Sequence, residues 1–501
     1  MLSKVSKFNK FRKIKYVKQY HSKADHNLLL LTDVYKMGHM DQYVPGCNKV
    51  YSYLQARSSK TFDHTLFFGL QYIIKEYLTR PITHDNVDEF LETRQDILKS
   101  EASPDIVRKM RDLATLGYLP IKIKSVEEGS IIPTNNVLMT MTNTDPEFYW
   151  TVGFVESLLL KIWDPITVAT HSLQYRNIVE KYFNDTVSEE LYPLKDFMVH
   201  DFGYRGCKTE EEALLSGIAH LTCFKGSDTV PAYRGAKRYY NATKDIMMSV
   251  PASEHSVMCS FGRDRELDAY NHMLKLYPTG LVSIVSDTYS IWNVLTEFAL
   301  KLKSDILKRD GKVIIRPDSG NPEYIICGDP NADPMSPEGK GCIRLLDEMF
   351  GSTINKKGYK ELNPKVGLIY GDGMYLERYV KTLDRLKSMD YASSNLVIGV
   401  GGILRHHSRD TLGFAIKATK IQVNDTEYSI MKDPITDSKK KSHLGYLSLV
   451  NVNNTYKTLN DVCKETENCG LLTPVYQDGE LLRDDSLDDI RQRINTRVSL
   501  L

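Results

Sequence analysis

The 501-residue chain lacks the cysteine patterns that build disulfide frameworks or zinc sites. Its eight cysteines include no CxxC pair and no Cys/His cluster with zinc spacing, and they are scattered along the chain at positions 47, 207, 223, 259, 327, 342, 463 and 469. This distribution excludes a disulfide-stapled or structural-zinc protein. It favours free thiols in a reducing compartment.

The chain also lacks long apolar runs and an excess of charge of either sign. No stretch of 18 apolar residues occurs, so the sequence predicts no transmembrane helix. The 65 basic residues nearly cancel the 64 acidic ones. Since no global field attracts nucleic acid or a membrane surface, we expect neither partner, and any basic site must be local.

The amino-terminal stretch departs from this balance. Residues 1–23 contain seven lysines and Arg12, and the first acidic residue is Asp25. Apolar residues recur there at every third position, as Leu2, Val5, Phe8, Phe11 and Ile14. The stretch is therefore either a basic, disordered tail or a Lys-rich mitochondrial presequence. We treat residues 1–25 as an extension, expect a cytoplasmic protein, and keep a mitochondrial location as the alternative.

Short, continuous, β-branched runs predict the core of the fold. Each leads into a burst of polar or glycine residues: 197–199 before 200–203, 281–285 before 286–287, 313–315 before 316–320, 366–370 before 371–373, and 396–398 before 399–402. Continuous apolar runs are typical of strands buried on both faces of a parallel sheet. The 29- and 30-residue spacings, from Asp287 to Arg316 and from Gly371 to Gly401, suit βα units. Residues 160–410 are thus predicted to form an irregular parallel α/β barrel.

The flanking segments predict a second, smaller unit. Residues 26–159 and 411–501 mix short strands, such as 50–54, 121–123 and 445–450, with turns and a helical stretch over 84–116. Helices are also predicted over 288–309 and 374–389. We expect an α+β domain built from both chain ends. In the barrel, the polar bursts should converge on one mouth, where such folds carry their chemistry.

Two glycine loops follow the last two predicted barrel strands. Gly371-Asp372-Gly373 and Gly399-Val400-Gly401-Gly402 allow backbone N–H groups to approach a phosphate closely. Glycines after a strand are also common as simple turn residues. Their joint position, where barrel enzymes often hold phosphate, favours a phosphorylated ligand.

The segment Arg316-Pro317-Asp318 places a cation and an anion on a fixed backbone. Arg316 can pair with a phosphate or an amide oxygen, and Asp318 with a ribose hydroxyl or a Mg²⁺ ion carrying pyrophosphate. A local ion pair is the alternative.

His255 and Asp287 form a candidate pair in which the carboxylate orients the imidazole, although a lone histidine is more often structural.

Two further segments suit a flat heteroaromatic ligand. Phe202 offers a stacking face and Arg205 a guanidinium for phosphate, although a core phenylalanine and a surface arginine explain the pair equally well. Asp228 can accept a hydrogen bond from an amide NH₂, but an aspartate in such a turn more often caps a helix.

These motifs, in this order, resemble the nicotinamide phosphoribosyltransferase family, which is of type II fold. The resemblance rests on 31–36, 50–53, 143–150, 200–206, 224–230, 251–256, 285–287, 314–322, 371–373, 432–434 and 447–449, and it runs from about residue 27 to the end. It implies transfer of a phosphoribosyl group from 5-phosphoribosyl 1-pyrophosphate to nicotinamide. Nicotinamide mononucleotide and pyrophosphate are then the products, in NAD salvage.

The resemblance also assigns roles. Phe202 and Tyr35 stack on the two faces of nicotinamide, Tyr35 coming from the other subunit of a homodimer. Asp228 accepts from the carboxamide and excludes nicotinate, since two carboxylates repel. The remaining binding residues implied are Ser283 and Arg316 near the carboxamide, Asp318 at the ribose, Gly371, Asp372, Gly401 and Gly402 at the 5′-phosphate, Arg57, Arg205 and Arg316 at the pyrophosphate, and Arg409 and Lys417 from the partner subunit.

The catalytic residues implied are His255, Asp287 and Asp318. His255 matches the histidine that this family phosphorylates with ATP, and Mg²⁺ accompanies the pyrophosphate. Ala415 stands where vertebrate members carry a serine. The alternatives are a nicotinate phosphoribosyltransferase, an isomerase or aldolase of the barrel type, and a non-catalytic signalling or scaffold protein.

Overall fold

The computed structural model describes residues 27–57, 59–436, 440–453 and 455–498. The predicted amino-terminal extension, residues 1–25, lies outside these ranges. No helix among the described residues is long and apolar enough to cross a membrane.

The strands belong to two large sheets and three small pairs. In chain order they are β1 Cys47–Gln55, β2 His64–Leu66, β3 Ile121–Ser125, β4 Ile131–Pro133, β5 Val137–Asn143, β6 Val199–Asp201, β7 Thr279–Val285, β8 Asp310–Arg316, β9 Ser352–Ile354, β10 Lys360–Leu362, β11 Val366–Tyr370, β12 Leu396–Val400, β13 Ala415–Val423, β14 Thr426–Ser429, β15 Tyr446–Val452, β16 Thr455–Val462, β17 Thr473–Gln477 and β18 Glu480–Leu481.

The α-helices surround these sheets. They are α1 Leu70–Ile73, α2 His84–Leu98, α3 Pro104–Leu116, α4 Thr151–Phe154, α5 Glu156–Leu159, α6 Trp163–Thr186, α7 Glu210–Leu221, α8 Val230–Tyr239, α9 His255–Cys259, α10 Glu266–Leu276, α11 Ile291–Asn293, α12 Ala299–Lys308, α13 Pro322–Cys327, α14 Pro337–Phe350, α15 Leu376–Ser388, α16 Lys464–Asn468 and α17 Leu487–Val498. Single π-helical turns, Ile74–Leu78 and Val294–Phe298, continue α1 and α11.

The parallel sheet contains a strand at each of the five predicted places, in the order β6-β12-β11-β8-β7. The first begins at Val199, two residues later than predicted, because Phe197 ends a 3-10 helix. Isolated parallel bridges continue it from Asp201 to Ser227, from Gly226 to Met248, and from Ala252 back to Ser283 of β7. The chain therefore runs round an irregular closed barrel, and the predicted fold class is confirmed. On this side of the barrel, residues 225–252 pair with neighbouring segments only at these single positions and form no full strand.

The second sheet is antiparallel and has the order β14-β13-β1-β5-β3-β17-β18. Its strands come from residues 47–143 and 415–481, so both chain ends meet in one sheet, as expected. The helix α6 is buried around most of its circumference and packs against α7, α15 and β2.

The predicted helix over 84–116 is two helices. Lys99 adopts a left-handed conformation at φ 53° and ends α2, while the Ser103 hydroxyl caps α3 ahead of Pro104. Apolar spacing runs through both helices and so conceals the break, whereas the proline is a normal first helical residue.

A close crossing of α13 and α14 supports the loop that carries Asp318. Gly341 has φ +73° and interrupts α14, and a Cβ atom built there lies 2.8 Å from the carbonyl oxygen of Ile326. Gly328, at φ +94°, faces it across the crossing. Only glycine permits both the backbone conformation and the approach.

We expect Gly341→Ala to destabilise the protein by about 2–5 kcal/mol, because a left-handed conformation costs about 1–2 and overpacking about 1–3 kcal/mol. Gly358→Ala is the matched control, since Gly358 also has positive φ, +86°, but has open space around its Cα. Denaturant unfolding of both variants measures the difference. Equal destabilisation would show that the helix crossing tolerates a methyl group.

Candidate active site

The predicted catalytic and binding residues of the barrel meet at the carboxyl ends of the parallel strands. Burial is the main cause that raises the pKa of Asp318, and the Asp287 carboxylate raises it further. The charges of Arg316, Asp372 and His255 also act on this pKa. A Cβ atom on Gly371 lies 2.7 Å from Asp318 Oδ1 and 3.9 Å from the Phe202 ring. Loops after four different strands therefore share one mouth.

A buried ion pair beneath this mouth joins Asp201 and Arg405. The guanidinium donates from Nη1 to Asp201 Oδ1 at 2.7 Å and from Nη2 to Oδ2 at 3.0 Å, and both side chains are at most 1% exposed. Burial alone raises the pKa of Asp201, but Arg405 and the hydrogen bonds of the carboxylate outweigh it and lower the pKa to about 2. This bidentate geometry is the one in which arginine binds carboxylates most strongly.

The same carboxylate fixes two loops of the mouth. It accepts from the backbone N–H of Gly203 at 2.8 Å and from the hydroxyl of Thr229 at 2.8 Å. Arg405 in turn donates to the carbonyl oxygen of Gly401 at 3.4 Å. The ion pair thus links the loop of Phe202, the turn of Asp228 and the second glycine loop.

The second glycine loop lies directly against Phe202. Phe202 N–H donates to the Val400 carbonyl at 2.8 Å. The Phe202 ring occupies the space that a side chain on Gly399 would need, and the Cα of Gly371 lies 3.1 Å from the same point. Close approach, rather than a turn, therefore explains the glycines at 371 and 399.

Asp228 is held by two neighbours and remains 43% exposed. His200 Nε2 lies 2.9 Å from Asp228 Oδ1, and the Ser249 hydroxyl donates to the same oxygen. Among the described residues, Asp228 Oδ2 has no recorded hydrogen-bond partner. Burial raises the pKa of Asp228, but the hydrogen bonds from His200 and Ser249 lower it by more than burial raises it. The net pKa is below its ordinary value, so the carboxylate stays ionised.

Arg316 lies between the aromatic and acidic sides of the mouth. Its Nη2 donates to the Ser253 carbonyl at 2.5 Å. Burial lowers the pKa of Arg316, and the charges of Asp318, Asp228 and Asp287 offset only part of this lowering. Ser283, 4% exposed, has a hydroxyl without a hydrogen-bond partner in the described structure. The Arg316 guanidinium is thus anchored at one nitrogen while facing several carboxylates.

His255 is half-exposed at the start of α9. Its Nδ1 lies 3.2 Å from the Thr288 hydroxyl, and its Nε2 lies 3.7 Å from Asp287 Oδ1, beyond hydrogen-bond length. Asp287 Oδ2 accepts from the backbone N–H of Asp318, while Oδ1 is buried without a partner. The predicted Asp–His pair is therefore adjacent but not hydrogen-bonded.

A second group of predicted residues lies on the antiparallel-sheet domain. Burial lowers the pKa of Lys417, and the positive charges of Arg57, Lys432 and Lys36 lower it further. Tyr35 is 59% exposed next to Lys36, and Arg409 is exposed beside Asp410. No recorded contact among the described residues joins these side chains to Asp228 or Phe202 of the same chain.

Sequence reasoning assigned no role to several residues of the mouth. His200 and Asp201 open the motif that contains Phe202, and their place at a strand end was the available signal. Ser249 and Ser253 carry no pattern of their own. Arg405 follows the second glycine loop, and nothing local reveals that its partner lies about 200 residues earlier.

Family comparisons agree along nearly the whole chain. Residues 27–123 match the model of the nicotinamide phosphoribosyltransferase N-terminal domain, and residues 197–480 match that of the nicotinate phosphoribosyltransferase family. The chain is 39% identical over 494 residues to a nicotinamide phosphoribosyltransferase of Acinetobacter baylyi, covering 93% of this chain and 97% of that protein. The chain belongs to the nicotinamide phosphoribosyltransferase family.

Other relatives extend this family assignment. A nicotinamide phosphoribosyltransferase of Xanthomonas campestris pv. campestris is 38% identical over 476 residues, covering 93% of this chain and 97% of that protein. Two solved structures share the fold: a nicotinate-nucleotide pyrophosphorylase from Pyrococcus furiosus, at TM-score 0.56, 14% identity and coverage of 96% and 98%, and human nicotinic acid phosphoribosyltransferase, at TM-score 0.53, 15% identity and coverage of 94% of each chain. The prediction that this chain is a member of a transferase family is thus confirmed.

Arg405→Met should destabilise the protein by about 3–5 kcal/mol, because it leaves the Asp201 charge buried and unpaired. Arg409→Met, which removes an exposed pair with Asp410, should cost less than about 1 kcal/mol. Because the folded pKa of Asp201 is depressed, the contribution of the pair should persist above about pH 4 and fade as the pH falls towards 2.

Unfolding in urea at several pH values measures these differences. The double variant Asp201→Asn/Arg405→Met removes both charges and should recover part of the loss. If it is no more stable than Arg405→Met, charge burial is not the cause.

Proposed function

We propose that this protein joins nicotinamide to 5-phosphoribosyl 1-pyrophosphate, releasing nicotinamide mononucleotide and pyrophosphate. Family membership supports the reaction class. The observation that carries the choice of base is Asp228, an ionised carboxylate anchored through one oxygen and open at the other. It stands near Phe202, since the His200 ring that it contacts lies 4.7 Å from the Phe202 ring.

The base would lie on Phe202 with its carboxamide towards Asp228. The amide NH₂ donates to Asp228 Oδ2, whereas a nicotinate carboxylate meets like charge and leaves the aspartate unsatisfied. Ser283 and Arg316 stand on the other side as donors to the carboxamide oxygen. The unpartnered Ser283 hydroxyl supports this placement.

The phosphoribosyl group would extend towards the glycine loops. Backbone N–H groups of Gly371, Asp372, Gly401 and Gly402 suit the 5′-phosphate, and Asp318 suits the ribose hydroxyls. In the reaction the bond from C1 of ribose to the pyrophosphate oxygen breaks, and a bond from C1 to the ring nitrogen of nicotinamide forms. Arg205 and Arg316 would stabilise the charge that develops on the departing pyrophosphate.

The acidic side of the mouth fits Mg²⁺ that arrives with pyrophosphate. Burial raises the pKa of Asp318, and the nearby carboxylates of Asp287 and Asp372 raise it further. Within the described residues, Asp287 Oδ1 is buried without a hydrogen-bond partner. Among the described residues, no group of three or more His, Cys, Asp or Glu side chains forms a metal cage by itself. Mg²⁺ commonly takes one or two carboxylates and completes its shell with water and phosphate oxygens, and it would neutralise pyrophosphate there.

We further propose that ATP acts as a co-substrate through His255. A phosphoryl group would pass from ATP to an imidazole nitrogen, with release of ADP, and later hydrolysis would return phosphate. The half-exposed ring, next to Thr288 and to the Asp287 carboxylate, is accessible to such a donor.

A homodimer would complete the site. We infer that one aromatic and three basic side chains belong to one surface, since no contact within the described residues joins Tyr35, Arg57, Arg409 or Lys417 to Asp228 or Phe202 of their own chain. Apposed to the mouth of a second subunit, this surface would cover nicotinamide and add positive charge to the phosphates.

The eight free thiols support a reducing cytoplasm as the location.

We expect a preference for nicotinamide over nicotinate that falls roughly 10- to 100-fold in Asp228→Ala, about 1.4–2.8 kcal/mol at 1.4 kcal/mol per tenfold. Steady-state kcat/KM for both bases, with saturating phosphoribosyl pyrophosphate, gives the ratio. Ser249→Ala is the matched control, because it removes one anchor but keeps the carboxylate. A wild-type preference for nicotinate would overturn the proposed function, and an unchanged ratio in Asp228→Ala would overturn the role of Asp228.

His255→Ala should keep basal transferase activity but lose its stimulation by ATP, because the phosphoryl acceptor is gone. The measurements are product formation with and without ATP, and ADP released per mononucleotide formed. His272→Ala is the control, since His272 lies on α10, outside the mouth. ATP coupling that survives in His255→Ala would exclude the phospho-histidine.

A further inference from the structure

A lysine-lined pocket lies on one face of the antiparallel sheet. Register places its side chains together: Tyr51 pairs with Thr142 and Lys420, Lys122 pairs with Thr142, and Lys124 pairs with Thr140. Directly paired residues project to the same face of a sheet. The segment from Tyr446 to Asn468 closes one side of the pocket.

The pocket concentrates positive charge that the chain as a whole does not have. Five lysines surround it and two glutamates oppose them: Lys49, Lys122, Lys124, Lys420 and Lys464 against Glu427 and Glu467. The overall net charge is only +1. The excess is therefore local, and it lies on a concave surface, where field lines are focused.

The two glutamates pair with three of these lysines, so five positive and two negative charges leave a local excess of three positive charges. Glu467 pairs with Lys124 at 2.7 Å, and Glu427 pairs with Lys464 at 2.9 Å and with Lys420 at 3.5 Å. Within the described residues, no carboxylate oxygen lies within 4 Å of the ammonium group of Lys49 or Lys122. These two half-buried lysines therefore stand outside the ion pairs and contribute most of the excess positive charge.

Lys49 is held in an unfavourable environment for a cation. Burial is the main cause that lowers its pKa, and the charges of Lys464 and Lys420 lower it further, while the carboxylates of Glu427 and Glu467 offset part of this lowering. Its ammonium group lies 5.6 Å from the centroid of the Tyr446 ring, and Tyr51 also lines the pocket. A bound anion would relieve this repulsion and restore the ordinary pKa.

We propose that this pocket binds a compact phosphate anion, inorganic phosphate or pyrophosphate, between Lys49 and Lys122. The pocket has a volume of about 160 Å³, room for roughly five waters at about 30 Å³ each. The hydroxyls of Thr140 and Thr142 and the Asn468 amide add polar groups around the lysines. None of the lining residues belongs to the catalytic mouth, so the site is separate from the reaction.

Local lysine reactivity tests the proposal without interference from phosphate binding at the mouth. The full-length protein is acetylated briefly with and without pyrophosphate or inorganic phosphate, at ionic strength matched with sodium chloride, and modified sites are quantified by mass spectrometry. Only a neutral amine reacts, so an anion that stabilises the protonated form of Lys49 should slow its acetylation severalfold. Lys122 should be protected in parallel, whereas the exposed Lys99 and Lys301 should not.

Two variants separate specific binding from general screening. Lys122→Gln should abolish the protection of Lys49, and Lys301→Gln should leave it intact, while both keep wild-type transferase activity. Protection by both anions assigns a monophosphate site, and protection by pyrophosphate alone assigns a diphosphate site. Unchanged acetylation of Lys49, equal protection by chloride, or protection that survives in Lys122→Gln would each overturn the proposal.

Discussion

The buried ion pair between Asp201 and Arg405 is the interaction on which the mouth of the barrel depends. A single carboxylate receives the guanidinium, the Gly203 N–H and the Thr229 hydroxyl. Desolvating two charges is expensive, and it is tolerated here because the pair is bidentate, with guanidinium bonds of 2.7 and 3.0 Å. The result is a rigid support for the aromatic loop, the Asp228 turn and a glycine loop, which local chain preferences alone would leave independent.

Above this support, the guanidinium of Arg316 faces several carboxylates without forming a direct ion pair with any of them in the described structure. Arg316 faces Asp228, Asp287 and Asp318, yet its recorded side-chain bond is to a backbone carbonyl. Within the part of the chain that the structure describes, Asp287 and Ser283 keep buried oxygens without hydrogen-bond partners. Unsatisfied groups cost stability in the free protein. They are consistent with a site whose charges await a polar, phosphorylated ligand, and they explain why the scaffold beneath must be stable.

Much of the fold followed from residue patterns. The five apolar runs predicted β6, β7, β8, β11 and β12, because parallel strands need continuous apolar sequence. The break between α2 and α3 was missed, since both helices keep one apolar periodicity across Lys99. The bridges of residues 226–252 were also missed, because single bridges impose no pattern on sequence. Domain boundaries near residues 159 and 411 remain predictions.

The sequence by itself determined the strand-end positions of Phe202, Asp287, Asp318 and the glycine loops, because strands and their ends obey local rules. It also carried the family motifs that the relatives bear out. Only the tertiary structure decided that Arg405 lies under Asp201, that His200 and Ser249 hold Asp228, and that lysines from β1, β3 and α16 form one pocket. Such contacts join residues hundreds of positions apart, and their energy depends on burial and geometry that no local pattern encodes.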